Sequence, residues 1–221
     1  MENQKIAIVL GATGLVGKSL VELLINDNYF STIILIVRRN SGFNHPKIKE
    51  YIVDFDDITS YNSLIQGDVL FSCMGTTLKQ AGSKEAQYEV DYTYQFEVAE
   101  IAAENGVSNY ILVSSANANA KSLIFYSRIK GELDEAVMDL PFERVFIFRP
   151  SVLMGEREIK RIGEEIGAKI MNGIGKIIPA MNKYRGIKSL EVAKAIIVAY
   201  KSSSTKKAVI YTLEEVFDLI K

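Results

Sequence analysis

The run Ile6-Ala7-Ile8-Val9-Leu10 passes directly into Gly11-Ala12-Thr13-Gly14-Leu15-Val16-Gly17, and a helical pattern starts at once. An apolar run this short, followed by glycines and then a helix, predicts an opening βα unit whose turn binds phosphate. Glycine lets the backbone turn tightly and approach a pyrophosphate. The start of the helix offers unpaired N–H groups and the positive end of its dipole. Gly11, Thr13, Gly14, Leu15 and Val16 are the residues expected to touch the phosphates, with Gly17 allowing the helix to sit close to the first strand. The spacing G-x-x-G-x-x-G is a weak signal by itself, and a glycine-rich turn without a ligand is the ordinary alternative. Its place in the first βα unit is what favours the phosphate reading.

The rest of the chain repeats the theme. Further Ile- and Val-rich runs fall at Ile33 to Val37, Ile48 to Val53, Val69 to Cys73, Tyr110 to Val113, Val145 to Phe148 and Val209 to Tyr211. Between them Gly14 to Ile25, Lys84 to Glu104, Phe125 to Met138, Ile159 to Met171 and Leu190 to Tyr200 carry apolar residues at helical spacing, with Gly106 as a C-cap. This alternation predicts an α/β fold, a doubly wound and mostly parallel Rossmann sheet with helices on both faces. Its 221 residues suit one dinucleotide-binding domain over 1–221, with a small substrate-side appendage within 155–190. Asn172 to Gly186, with its glycines and Pro179, reads as irregular structure in that appendage.

Charge excludes some functions. Lys and Arg total 26 against 27 Asp and Glu, so no basic footprint for nucleic acid or an anionic membrane exists. One cysteine and one histidine cannot make a zinc-type cluster, which argues against metal catalysis. No apolar stretch reaches the ~20 residues that span a bilayer, and the N-terminus lacks a signal-peptide pattern. A cytoplasmic protein acting on small molecules is expected.

The strand ends specify the ligand further. A NAD-binding protein usually carries an acidic residue after its second strand, to bind the ribose hydroxyls. This chain has Arg38-Arg39 there, two guanidinium groups suited to a 2′-phosphate, so NADP(H) is expected over NAD(H). A solvated basic pair is the alternative. Asp54-Phe55 is placed to meet the adenine, and Cys73-Met74-Gly75 offers small residues beside the ribose and nicotinamide half. After the fifth strand stand Ser114-Ser115, then Tyr126 and, four residues on, Lys130. Residues four apart on a helix share a face. Tyr126 would give its phenolic proton to a carbonyl oxygen, the Lys130 ammonium would lower a pKa that starts near ~10, and Ser115 would hold the oxygen. A second Tyr-x-x-x-Lys, Tyr184 and Lys188, lies in the irregular stretch without preceding serines.

Taken together, these motifs resemble the atypical branch of the short-chain dehydrogenase/reductase superfamily, and more narrowly the Tat-interacting protein oxidoreductases and their small bacterial relatives. The likeness is carried by Gly11 to Gly17, Arg38-Arg39, Asp54-Phe55, Cys73 to Thr77, Ser114-Ser115, Tyr126 with Lys130-Gly131-Glu132, and Phe148-Arg149-Pro150-Ser151-Val152-Leu153. It implies that Pro150, Val152 and Leu153 meet the nicotinamide and that Arg161 contacts the cofactor phosphate. Many members use an Asn in the helix after the fourth strand to hold a relay water, and the nearest position here is Asp91. The C-terminal region is too short for the sugar-binding lobe of the extended enzymes, which argues against a nucleotide-sugar epimerase. Two functions follow: an NADPH-dependent oxidoreductase reducing a small carbonyl substrate, or an NADPH-binding sensor or scaffold with little turnover. Both a homodimer and a monomer are compatible with the pattern.

Overall fold

In each buried strand successive side chains serve opposite faces, so a parallel sheet covered on both sides needs a continuous apolar run rather than alternation. The strands of this chain meet that requirement. In the computed structural model, which describes residues 4–154 and 186–221, seven of them form one sheet: β1 (Lys5–Leu10), β2 (Phe30–Val37), β3 (Ile48–Ile52), β4 (Val69–Ser72), β5 (Asn109–Val113), β6 (Arg144–Arg149) and β9 (Ala208–Thr212). Their order is β3-β2-β1-β4-β5-β6-β9, and every pairing is parallel. These are the seven runs expected from the sequence.

Ala7 and Val9 of β1 join a core with Val16, Leu20, Phe71, Phe146 and Ile196 on one face. Ile8 and Leu10 join Leu70, Val98, Tyr110, Leu133 and Ile147 on the other. Each Val, Leu, Ile or Phe among them contributes roughly 1.5–3 kcal/mol when fully buried. Helix α1 (Leu15–Ile25), α6 (Ser189–Lys201) and α7 (Leu213–Asp218) supply the first core, and α4 (Tyr94–Glu104) and α5 (Phe125–Asp139) the second.

The long helix expected over Lys84 to Glu104 is interrupted. It consists of α3 (Lys84–Tyr88), a π-helical turn at Glu89–Thr93, and α4. The Gln95 amide donates to the carbonyls of Val90 and Asp91, both at 3.1 Å, satisfying groups that the wider turn releases. Gly106 ends α4 as expected, with the Val107 N–H bonded to the Ala102 carbonyl and the Gly106 N–H to that of Ala103. Two helices did not stand out in the sequence, the single turn α2 (Leu78–Ala81) and α7. Helix α7 opens on a Thr-x-x-Glu box in which the Glu215 carboxylate accepts from both the Thr212 N–H and its hydroxyl at 2.8 Å. A short pair, β7 (Leu153–Met154) with β8 (Ile187–Lys188), brings the residues flanking 155–185 side by side. The helix expected at Ile159 to Met171, most of the irregular stretch, Tyr184 and Arg161 lie outside the described residues.

Because the strands run in parallel, their C-terminal ends share one edge, and the strand order reverses there between β1 and β4. Such a switch point opens a crevice at the carboxyl end of the sheet. The β1–α1 turn occupies it through two close approaches. A Cβ on Gly17 would lie 2.1 Å from the Gly11 carbonyl oxygen, and one on Gly11, at φ +74°, would lie 2.6 Å from the Cys73 carbonyl. Gly17→Ala is therefore expected to destabilise the fold by about 3 kcal/mol, lowering Tm by roughly 6–12 °C. Gly106→Ala, strained by φ +80° but with open space around it, should cost only about 1 kcal/mol. Equal effects in thermal melts would contradict this packing of α1.

Candidate functional site

Helix α1 begins with Gly14 as N-cap, in extended conformation and with no side chain bonded to the first turn. The first helical bond runs from the Lys18 N–H to the Gly14 carbonyl at 2.9 Å, so the N–H groups of Leu15, Val16 and Gly17 precede the helical ladder. Thr13 and Gly14 are exposed at this end. The first turn contains no acidic side chain to repel an anion. The cradle therefore fits a pyrophosphate.

One strand over, Arg38 and Arg39 are exposed where β2 ends. A hydrogen bond from Tyr94 to the Asp56 carboxylate pushes that phenol up to about 12, against a small lowering by the Arg38 charge. Asp54 is exposed, and its carboxylate accepts the Asp56 N–H at 3.1 Å, an Asx turn. Phe55 points the other way. It is buried, with Tyr61 and Tyr94 rings 5.8 and 5.5 Å from its own. Of that pair, Asp54 is the one that faces solvent at the crevice.

Next to Gly11, the Cys73 N–H bonds the Leu10 carbonyl at 3.0 Å, carrying the β1–β4 ladder one residue beyond the strand. Burial pushes the Cys73 thiol up to about 12, which makes it a poor nucleophile. Beyond it, Met74 and Gly75 lead out to the surface. On the far side, the Ser114 N–H bonds the Phe148 carbonyl at 2.7 Å and the Ala116 N–H bonds that of Pro150 at 3.1 Å. Ser114 is thereby buried, Ser115 is half-buried, and Pro150, Val152 and Leu153 follow beside them.

The loop after Ser115 folds back on α5 because Gly131 has no side chain. A Cβ there would lie 2.1 Å from the Ala120 nitrogen. The Asn119 N–H also reaches the Ser127 carbonyl at 2.9 Å. This seats α5 so that Tyr126, Lys130 and Asp134 share one face at successive turns. Tyr126 is 39% exposed, whereas Lys130 is 2% and Asp134 0% exposed. The gradient runs from a solvent-facing phenol to buried charges behind it.

Those charges are paired. Lys130 Nζ stands 2.9 Å from Asp91 Oδ1, and Arg149 Nε 2.8 Å from Asp134 Oδ2. Burial alone would lower the Lys130 ammonium, but Asp91, Tyr126 and Asp134 together carry it above the ordinary lysine range. Burial raises the Asp134 carboxyl, outweighing Ser114, Arg149 and Lys130, which lower it. The Ser114 hydroxyl and Asp134 Oδ1 lie near each other without an aligned hydrogen bond. In sequence, Asp91 reads only as a departure from an expected Asn, Gly131 only as part of the family motif without its packing role, and the Asp134–Arg149 pair is not seen. The spacing of Lys130 and Asp134 was the available signal for the last.

Comparisons with known proteins agree with this architecture. The model of the NAD dependent epimerase/dehydratase family matches residues 7–180. Protein HTATIP2 of Rattus norvegicus is 35% identical over 178 residues, 79% of this chain and 73% of that protein. Protein FMP52, mitochondrial, of Eremothecium gossypii is 30% identical over 224 residues, 97% of each chain. The compartment in that name belongs to the relative, and it offers no support for the cytoplasmic expectation. For this chain, no helix among the described residues is long and apolar enough to cross a membrane. A short-chain dehydrogenase/reductase superfamily protein from Agrobacterium tumefaciens with bound NAD has a TM-score of 0.70 at 14% identity, over 94% of this chain and 77% of that one. The UDP-glucose 4-epimerase of Thermotoga maritima, with UDP-glucose, has a TM-score of 0.68 at 13% identity, over 98% and 81%. At such identities the solved structures speak to the fold alone. From strand order, glycine turn and these matches, the chain belongs to the NAD-dependent epimerase/dehydratase family, in the atypical branch of the short-chain dehydrogenase/reductase superfamily.

Proposed function

We propose that the protein is an NADP(H)-dependent oxidoreductase that reduces a small carbonyl substrate, with Tyr126 as general acid. The observation that carries this reading is the exposed Tyr126 phenol one helical turn from the buried Lys130 ammonium, at the sheet edge that also holds the glycine turn. The cofactor, when bound, supplies the hydride. The first turn of α1 would hold its pyrophosphate, Arg38 with Arg39 its 2′-phosphate, Asp54 its adenine side, and the Cys73 to Gly75 and Pro150 to Leu153 segments its other half. Arg161 remains part of this proposal as a phosphate contact.

Each reduction adds one hydride to carbon and one proton to oxygen. Tyr126 delivers that proton from its Oη while Ser115 orients the oxygen, and the phenolate then regains a proton from solvent. Lys130, held inside the fold, keeps a positive charge behind the phenol throughout. Retention of Ser115, Tyr126 and Lys130 together supports turnover over a purely sensing or scaffolding role. The NAD named with the Agrobacterium tumefaciens neighbour belongs to that protein. For this chain, the arginines at the end of β2 support NADP(H).

Two outcomes test this. NADPH should bind at least tenfold more tightly than NADH, a difference of about 1.4 kcal/mol, and Arg38→Ala should erase the preference. Equal affinities in the unaltered protein would remove Arg38 from the site. Tyr126→Phe should bind NADPH as before yet lose at least about 100-fold in carbonyl reduction. Normal turnover in that variant would exclude Tyr126 as the acid.

A further inference from the structure

Lys130 sits beneath Tyr126 with nearly all its surface buried, and a lone ammonium in that position would be costly and strongly polarising. The fold answers with Asp91, itself fully buried and 2.9 Å away. Several features bring this carboxylate to the site. The π-helical turn Glu89–Thr93 is centred on Asp91, and widened turns of this kind recur where helices aim a functional side chain. Gln95 bonds the carbonyls of Val90 and Asp91 and is tied in turn to β4 by a 2.8 Å bond from the Ser72 hydroxyl. Gly75 passes over the pair, where a Cβ would lie 3.2 Å from Asp91 Oδ1 and 3.7 Å from Lys130 Nζ. The Thr76 N–H and the Gln87 amide lie 3.4 Å from the carboxylate, long contacts that leave Lys130 as its principal partner.

We infer that Asp91 is a positioning residue that holds the Lys130 ammonium and cancels its charge, so that Tyr126 keeps its proton until substrate demands it and the site favours reduction. An Asn at this position would orient Lys130 but leave its charge unbalanced. The groups facing Lys130 are Asp91 from the π turn and Tyr126 and Asp134 from α5, and Asp134 is itself balanced by Arg149 from β6. With Asp91 ionised, these four charges, of which Arg149 alone is partly exposed, sum to zero. Removal of Asp91 leaves a net positive charge one helical turn from the phenol.

The inference rests on the proposed roles of Tyr126 and Lys130, so its test is independent of turnover. The cofactor-free protein is labelled with 13Cζ-tyrosine, the Tyr126 resonance is assigned by its loss in Tyr126→Phe, and its ionisation is followed against pH. Asp91→Asn should lower the Tyr126 midpoint by about one pH unit or more, because the ammonium then acts unopposed on the phenolate. Lys130→Met should raise it. The paired substitution Asp91→Leu with Lys130→Met, which replaces a buried ion pair by apolar groups, should return it close to the unaltered value. The paired variant also tests the inference if Asp91→Asn does not fold. An unchanged midpoint in folded Asp91→Asn, or a shifted midpoint in the paired variant, would overturn it. A protein that turns over no carbonyl but shows these shifts would refute the reductase reading and leave the charge balance standing.

Discussion

The packing of Gly17 against the Gly11 carbonyl is the constraint on which the rest of the site depends. With a Cβ separation of only 2.1 Å available, nothing larger than glycine lets α1 start directly at the end of β1. That seat fixes the open N-terminus of α1 at the switch point, where the strand order reverses between β1 and β4. Every other feature of the crevice is placed relative to it, because parallel strands deliver their C-terminal ends to one edge. Arg38 comes from β2, Cys73 to Gly75 from β4, Ser114 and Ser115 from β5, and Pro150 to Leu153 from β6.

Behind that edge the protein tolerates something that cores usually avoid. Asp91 and Asp134 are fully buried, and Lys130 almost so. Leaving one member of such a pair alone costs about 3–5 kcal/mol, more than a well-made pair returns. The arrangement is therefore poorly explained as a source of stability. It is better explained as a way to hold an ammonium at a fixed point beneath an accessible phenol. Gly131 and the Asn119–Ser127 hydrogen bond set the loop and helix at the spacing this needs.

Much of this was legible in the sequence. The seven strands could be read because a buried parallel strand writes itself as a run of Ile, Val, Leu and Phe, and the glycine turn, the arginine pair and Tyr126 with Lys130 each sit at a strand end or helix start. What stayed hidden depends on neighbours distant in the chain. The π turn at Glu89–Thr93 has no local signature, and its stabilising bonds reach Gln95 and then Ser72 of β4. Phe55 reads in sequence as a residue that meets the adenine, and its burial against Tyr61 and Tyr94 is set by residues further along the chain. The ion pair of Lys130 joins residues 39 positions apart, and only the sheet brings α5 against the π turn. The short helix α7 was missed despite its Thr212 to Glu215 box, because the segment lacks a long apolar stripe.

The most direct test of this account is a crystal structure of the protein with NADPH. The account predicts the pyrophosphate at the first turn of α1, the 2′-phosphate against Arg38, and the nicotinamide beside Tyr126 and Ser115. A nicotinamide bound away from Tyr126, or a 2′-phosphate facing solvent with Arg38 turned aside, would contradict it.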